Sequence, residues 1–439
     1  MKPWLLQLVC ICAIALFAAS CSTTKSCCQE TLPWEPNYDE AAMPSFRLPK
    51  VLTCEDGQVV RTAEEWQSHR RPELLQLFEE TMYGKPLPLP DAVEYQLLSE
   101  KTDEFDGLAI RREIQMTFRM ADGRSHDLVV LMYVPAHQSS PVPLFAGLTF
   151  TGNHAIVEDP AVQVTGLRYP KTQEAREKWA ARRGKLASSY PIRTIIERGY
   201  ACAFASYNDI FPDRADGWSE SVYRLWFDED ALATRLPDYT SIGAWAWGFS
   251  RVIDCALQWP EVDAARIACI GHSRLGKSAL WAGAQDERIG LVCVNDSGCG
   301  GAALSRRSFG ETLFSMCHHN SFGKFWFVES LAERSLHPEN LPIDQHELVA
   351  LVAPRAIAVH SATEDQWADP KGEYLGAYHA GPVYRLFGIE GLSSPTPPPP
   401  DTPVGQTVSY LLRTGKHALQ AEDWAHYLDV ADRAFGTGD

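Results

Sequence analysis

The 439-residue sequence predicts an α/β fold, a mostly parallel sheet covered by helices on both faces. Three observations carry that expectation. Short apolar runs (Leu144–Phe150, Tyr200–Ser206, Leu291–Val294 and Ala356–His360) recur along the chain without an alternating polar face, as strands buried on both sides require. Helical segments separate them, and one, Ile242–Trp259, is long and rich in aromatics. A further strand, Ile267–Ile270, runs straight into Gly271-His272-Ser273-Arg274-Leu275-Gly276-Lys277, where the pattern turns helical.

In chain order, Arg71–Glu80 has helical apolar spacing with Pro72 near its start, and Pro86, Pro88 and Pro90 end it. Tyr95–Val134 holds long alternating runs, such as Leu128–Val134, and reads as strands. Leu144–Phe150 ends at Thr151-Gly152-Asn153-His154, and the polar stretch 158–185 reads as an insertion. Ser393–Pro400, with four prolines from Pro397, reads as a stiff surface loop, and the last helix starts near Ala421. No internal repeat is present. Length alone is a prior of two or three domains, yet the unbroken strand–helix pattern makes 37–439 a single expected domain.

The chain carries 56 acidic and 40 basic residues, a net charge of −16, and 45% hydrophobic content. The apolar fraction suffices for a large core, and the charge argues against a nucleic-acid partner, which needs a positive surface. Residues 1–20 have the parts of a secretory signal: Lys2, the apolar run Trp4–Phe17, then Ala18, Ala19 and Ser20. Cys21 follows directly, a pattern similar to a bacterial lipobox, so 21–36 is expected as a lipid-anchored tether and the protein as exported, to the periplasm or outer surface; the alternative is plain cleavage of the signal with Cys21 an ordinary thiol. That anchor is the only membrane contact expected. Of the twelve cysteines, Cys10 and Cys12 would leave with the signal, and Cys27 and Cys28 lie in the tether. Seven remain: Cys54, Cys202, Cys255, Cys269, Cys293, Cys299 and Cys317. No CxxC pair is among them, so a zinc or thioredoxin site has no support; several, in apolar strand-like runs, read as buried small hydrophobes, and one or two disulfides stay open for an exported chain.

A serine on a tight strand-to-helix turn has its Oγ exposed above a sheet, beside a backbone N–H free to bind an oxyanion. Ser273 has that setting, although its second glycine, Gly276, stands three places on rather than two. Its alternative is an ordinary helix N-cap. A serine nucleophile needs a basic histidine and an acid to orient it. His417 lies in a late loop and fits the base; His426 falls within the last helical pattern and reads as structural. Two acids are candidates, Asp296 after one strand and Asp365 after the next. Thr151-Gly152-Asn153-His154 is placed to add a second oxyanion donor. No HExxH, strand-linked GxGxxG or P-loop is present, so no metal or cofactor is expected.

The block Gly271–Lys277, with Asn295-Asp296-Ser297-Gly298-Cys299-Gly300-Gly301 behind it, closely resembles the glucuronoyl esterases, carbohydrate esterase family 15. Gly147–His154, Leu351–Arg355, Glu364–Pro370 and the His417 loop through Trp424 support the resemblance, which runs from about Phe78 onward. It implies an α/β-hydrolase that cleaves esters joining 4-O-methyl-glucuronic acid of glucuronoxylan to lignin alcohols, without a cofactor. By the resemblance, Ser273 matches the nucleophile, His417 the base and Arg274 an arginine that helps bind the oxyanion. Lys277, Glu311 and Trp367 match positions that hold the sugar, Lys277 one helical turn from Ser273. Asp296 stands where the family has a glutamate, and Asp365 matches an acid used by some bacterial members, so both stay candidates. Fungal members carry a cysteine before the serine and another after the histidine; His272 and Ala418 replace both here, which resembles the bacterial branch. Two other readings remain: an acetyl-xylan or other carbohydrate acyl esterase on the same fold, and a non-catalytic carbohydrate-binding relative. No oligomeric state follows from the sequence.

Overall fold

The computed structural model describes residues 34–319 and 323–437. The expected signal segment and all of the tether before Trp34, Cys21 included, lie outside these residues. Among the described residues, ten strands form one sheet: β1 (Ala92–Asp103), β2 (Ala109–Arg119), β3 (Ser125–Pro135), β4 (Val142–Thr149), β5 (Ala201–Ser206), β6 (Val262–His272), β7 (Ile289–Asn295), β8 (Ala356–Ala362), β9 (Val404–Gly405) and β10 (Val408–Arg413). Their spatial order is β1-β2-β3-β5-β4-β6-β7-β8-β10-β9. Strands β1 to β3 form an antiparallel meander that joins β5, and every pairing from β5 through β4, β6, β7 and β8 to β10 is parallel. The expected α/β class is therefore the observed one.

The central strands are apolar throughout because both of their faces are covered. Leu144, Cys269, Val292 and Ile357 point into one core, and their neighbours Phe145, Ile270, Cys293 and Ala358 into the other. Five helices matter for the site: α1 (Arg71–Phe78), α2 (Ser241–Ala256), α3 (Arg274–Gln285), α4 (Pro370–Leu386) and α5 (Ala421–Phe435). The first core takes Trp245 and Phe249 of α2, Leu280 of α3 and Val383 of α4; the second takes Trp424, Tyr427 and Leu428 of α5. Helix α2 begins where the Thr240 hydroxyl accepts the Gly243 N–H at 2.9 Å. All seven cysteines of the described residues are buried free thiols, and no described helix is long and apolar enough to cross a membrane.

The parallel half of the sheet builds the site. Strands β6, β7, β8 and β10 are consecutive neighbours, with His272 beside Asn295, Asn295 beside His360 and Leu411 beside His360. Their C-terminal ends therefore share one edge. Ser273 follows β6, Asp296 follows β7, Asp365 lies just beyond β8 and His417 beyond β10.

Candidate active site

Ser273 sits at φ 57°, ψ −127°, a strained conformation for a residue with a side chain. The turn holds it there. Its N–H donates to the Asn295 carbonyl at 2.8 Å, and its own carbonyl accepts the Gly276 N–H at 2.8 Å as α3 begins. The glycine spacing follows from the packing of this turn. A Cβ on Gly271 would lie 2.0 Å from the Leu275 carbonyl oxygen, and one on Gly276 would lie 3.0 Å from Ser297 Cβ and 3.1 Å from the Gly271 oxygen. Leu275, between them, is fully buried in the core. The position that must lack a side chain is thus three residues after the serine.

His417 and Ser273 line the same cavity, of about 530 Å³, with His272, Arg274 and Ala418. His417 Nδ1 lies 2.6 Å from Asp365 Oδ2 and 4.0 Å from Asp296 Oδ2. A carboxylate only accepts, so the Nδ1 proton points at Asp365 and leaves Nε2 as the basic nitrogen. Asp296 is turned elsewhere: at φ 44° its Oδ2 accepts the Ala418 N–H at 3.2 Å. Burial, then the charges of Glu373 and Asp365, push the Asp296 carboxyl well above the usual range. His272 stacks beside His417 at 4.5 Å between ring centroids and meets Asn295 Oδ1 through Nδ1 at 2.5 Å. Burial, then the neighbouring His417, lower its pKa to about 3, so it is neutral. Asp296, Asp365 and His417 have ligand atoms within 4.8 Å of one another, and of the described residues these are the ones that could hold a cation.

Arg274 reaches over the other side of the cavity. Its guanidinium pairs with Asp213 and lies 4.9 Å from the Trp326 ring centre. Asp213 is fixed in turn by the Tyr207 hydroxyl at 2.8 Å, Trp326 Nε1 at 2.9 Å and the Asn208 side chain, which accepts its N–H at 2.9 Å. These contacts hold the cation at the cavity, which Arg274 and Asp213 both line. The insertion 158–185 forms part of the cavity wall. It contains the helix Gln173–Ala180, buries Trp179 and stacks Tyr169 on Trp179 at 5.2 Å, both rings lining the cavity. The loop expected to add an oxyanion donor is mostly turned inward: Asn153 N–H donates to Thr165 Oγ1 at 2.8 Å and His154 is buried against the Trp179 carbonyl, leaving Thr151 at the cavity.

A profile described as "Glucuronyl esterase, fungi" matches residues 231–388. A carbohydrate esterase of an unknown prokaryotic organism is 39% identical over 90% of this chain and 91% of its own. A 4-O-methyl-glucuronoyl methylesterase of Wolfiporia cocos is 35% identical over 78% of this chain and 72% of its own. The solved glucuronoyl esterase from Solibacter usitatus superposes with a TM-score of 0.82, at 37% identity over 90% of this chain and all of that one. A family 15 esterase from a marine bacterial metagenome, titled promiscuous, superposes at 0.80, with 37% identity over 91% of this chain and all of that one. The chain belongs to the glucuronoyl esterases. Its fold is accordingly the α/β-hydrolase fold.

Not every residue matched to this family meets Ser273 directly. Lys277 was expected to face the cleft, but its ammonium is buried and donates to the Ser297 carbonyl at 2.6 Å, the Cys299 carbonyl at 2.7 Å and Glu311 Oε2 at 2.7 Å. Those three bonds saturate its three protons. Glu311 is tied to the Trp367 loop by its N–H, which donates to the Trp367 carbonyl at 2.7 Å. Trp367 is half-buried edge-on to Trp34, 5.9 Å between centroids. Lys277, Glu311 and Trp367 thus form a second group beside the cavity that holds Ser273. Sequence reasoning missed Asp213, Tyr207 and Trp326, which orient the arginine. Tyr207 and Trp326 lie on one-turn helices, Tyr207–Ile210 and Gly323–Trp326, and Asp213 on the turn after the first of these, with no motif to mark any of them.

Proposed function

We propose that the chain is a serine esterase that hydrolyses 4-O-methyl-glucuronoyl esters, the bonds between glucuronoxylan and lignin alcohols. The observation that carries this is the 2.6 Å contact of His417 Nδ1 with Asp365, on a histidine lining one cavity with Ser273 and Arg274. The names of the relatives support the substrate class.

In this reading Ser273 Oγ attacks the ester carbonyl while His417 Nε2 takes its proton. Asp365 holds the imidazole tautomer and stabilises the imidazolium that forms. The Arg274 guanidinium and the backbone N–H at the start of α3 meet the oxyanion, and one such donor is worth about 3 kcal/mol in the barrier. Collapse breaks the C–O bond, and His417 gives its proton to the departing alcohol. Water, deprotonated by His417, then releases the uronate from Ser273. Glu311 and Trp367 contact the sugar, and Lys277 acts through Glu311, whose charge it balances. Asp296 supports the loop from below.

A broader ester range is the second reading, favoured by the promiscuous relative and by the aromatic wall of Tyr169 and Trp179. Rates on methyl and benzyl glucuronate against acetylated xylan decide between them: a preference for the uronates upholds the proposal, and a preference for acetyl groups replaces it. Failure of a fluorophosphonate probe to label Ser273 would point to a non-catalytic carbohydrate-binding protein. Export with a lipid at Cys21, to the periplasm or outer membrane, belongs to the same proposal and is supported by Ala18-Ala19-Ser20-Cys21 behind the apolar run. Labelling with radioactive palmitate should be lost in Cys21→Ala.

A further inference from the structure

The loop that carries His417 leaves β10 at Arg413 and enters α5 at Ala421, with no regular structure between. A side chain on such a loop is placed by whatever binds the loop's carbonyls and N–H groups. Here one residue binds three of the loop's carbonyls. Arg413 is buried, and its Nη2 donates at 2.9 Å both to the Lys416 carbonyl and to the Ala418 carbonyl, one on each side of His417. Nη1 donates to the Thr414 carbonyl at 3.1 Å, and Nε to Asp423 Oδ2 at 3.0 Å. Asp423, fully buried, also accepts the Gln420 N–H at 2.9 Å, where α5 starts, and meets His360 Nδ1 at 3.1 Å.

The other side of the loop is stitched to the segment that bears Asp365. Thr363 N–H donates to the Arg413 carbonyl at 2.9 Å, Glu364 N–H to the Gly415 carbonyl at 2.8 Å, and Gly415 N–H to Thr363 Oγ1 at 3.0 Å. Arg413 therefore links the loop of the base to the segment of its acid: its guanidinium donates to carbonyls on either side of His417, and its own carbonyl accepts from Thr363, two residues before Asp365. We propose that Arg413, held by Asp423, is a positioning residue that sets His417 at bonding distance from Asp365.

The side-chain chemistry is specific to arginine. A planar fork donates to two carbonyls in fixed directions, whereas lysine offers a point charge on a flexible stem. Buried as it is, the guanidinium needs a counterion; Asp423 supplies it, with Asp296 Oδ2 3.8 Å away. The inference rests on His417 being the base.

The test compares Arg413→Lys, Asp423→Asn and His417→Ala in the whole chain, with benzyl glucuronate as substrate. Arg413→Lys should lower kcat about 100-fold, the effect of misplacing a reacting group by roughly an ångström, with KM changed less than about threefold. Its low-field proton NMR resonance from His417 Nδ1–H should shift or vanish while thermal melting stays cooperative. Asp423→Asn should move both readouts in the same direction. If the lysine variant does not fold, Asp423→Asn decides alone by the same two readouts. A folded variant with parental kcat, or with reduced kcat and an unchanged resonance, overturns the proposal. Near-parental activity of His417→Ala would instead remove the base assignment and the proposal with it.

Discussion

His417 Nδ1 lies 2.6 Å from Asp365 Oδ2 and 4.0 Å from Asp296 Oδ2, so the imidazole is oriented by the acid after β8 and not by the one after β7. The surroundings of Asp296 set it apart further. Burial and the charges of Glu373 and Asp365 favour the neutral form of Asp296, whose Oδ1 meets no hydrogen-bond partner among the described residues.

Asp365→Asn should therefore lower kcat by about 10⁴, the loss expected when the orienting acid of such a triad becomes an amide. Asp296→Asn keeps the shape of the side chain and an oxygen that can accept the Ala418 N–H, so its loss should be far smaller. Steady-state kinetics on benzyl glucuronate measure both, and the reverse ranking would exchange the two roles.

Arg274 is held by Asp213. Arg274→Gln should reduce kcat about 100-fold with KM little changed, because the guanidinium acts on charge that develops only in the transition state. Asp213→Asn leaves one acceptor oxygen where Trp326 Nε1–H and the Arg274 guanidinium each donate to a separate carboxylate oxygen, so it weakens the hold on the cation and its loss should also fall in kcat. A pure KM effect in either variant would place Arg274 in ground-state binding.

Tyr169 presents its ring to the cavity from the insertion and is 37% exposed. Tyr169→Ala should raise KM for benzyl glucuronate and leave methyl glucuronate nearly unchanged, since only the former carries an aromatic alcohol that can stack. Equal effects on the two esters would exclude a contact with the alcohol.

Acid sensitivity has an identifiable source. His346 is buried with Nε2 3.1 Å from the Pro49 carbonyl, and burial lowers its pKa to about 3. His272 and His426 are lowered to about 3 as well. Above the unfolded-state pKa, about 6.5, neither state is protonated and the histidine contributes nothing. Below it the unfolded chain binds a proton that the folded chain refuses, so stability falls steadily as pH drops from about 6.5 towards 3. His346 alone accounts for about 3 kcal/mol at pH 4.5 on this reasoning. The melting temperature of His346→Gln should thus decline less steeply with acid than that of the parent; parallel curves would rule His346 out.

The sheet was legible where both faces of a strand are buried. Leu144–Phe150, Tyr200–Ser206 and Ala356–His360 are apolar without alternation and became β4, β5 and β8 with ends shifted by one or two residues. Strand β10 was harder because Ser409 and Arg413 interrupt its pattern; both are buried, Ser409 near His426 and Arg413 on Asp423. Chain order was enough to select Ser273 and His417. It could not choose between Asp296 and Asp365, since both end up under the same loop and only the turn at Asp296 directs its carboxyl to Ala418 N–H. Spacing along α3 puts Lys277 one helical turn from Ser273, but it could not show that the carbonyls of Ser297 and Cys299 and the Glu311 carboxylate take up its ammonium.

The most direct test of the central claim is hydrolysis of benzyl glucuronate by the purified chain and by Ser273→Ala. The parent should cleave the ester without added metal, and the variant should retain less than about one thousandth of its kcat, as expected when the nucleophile of a triad is lost. A variant rate close to the parent's would contradict the account.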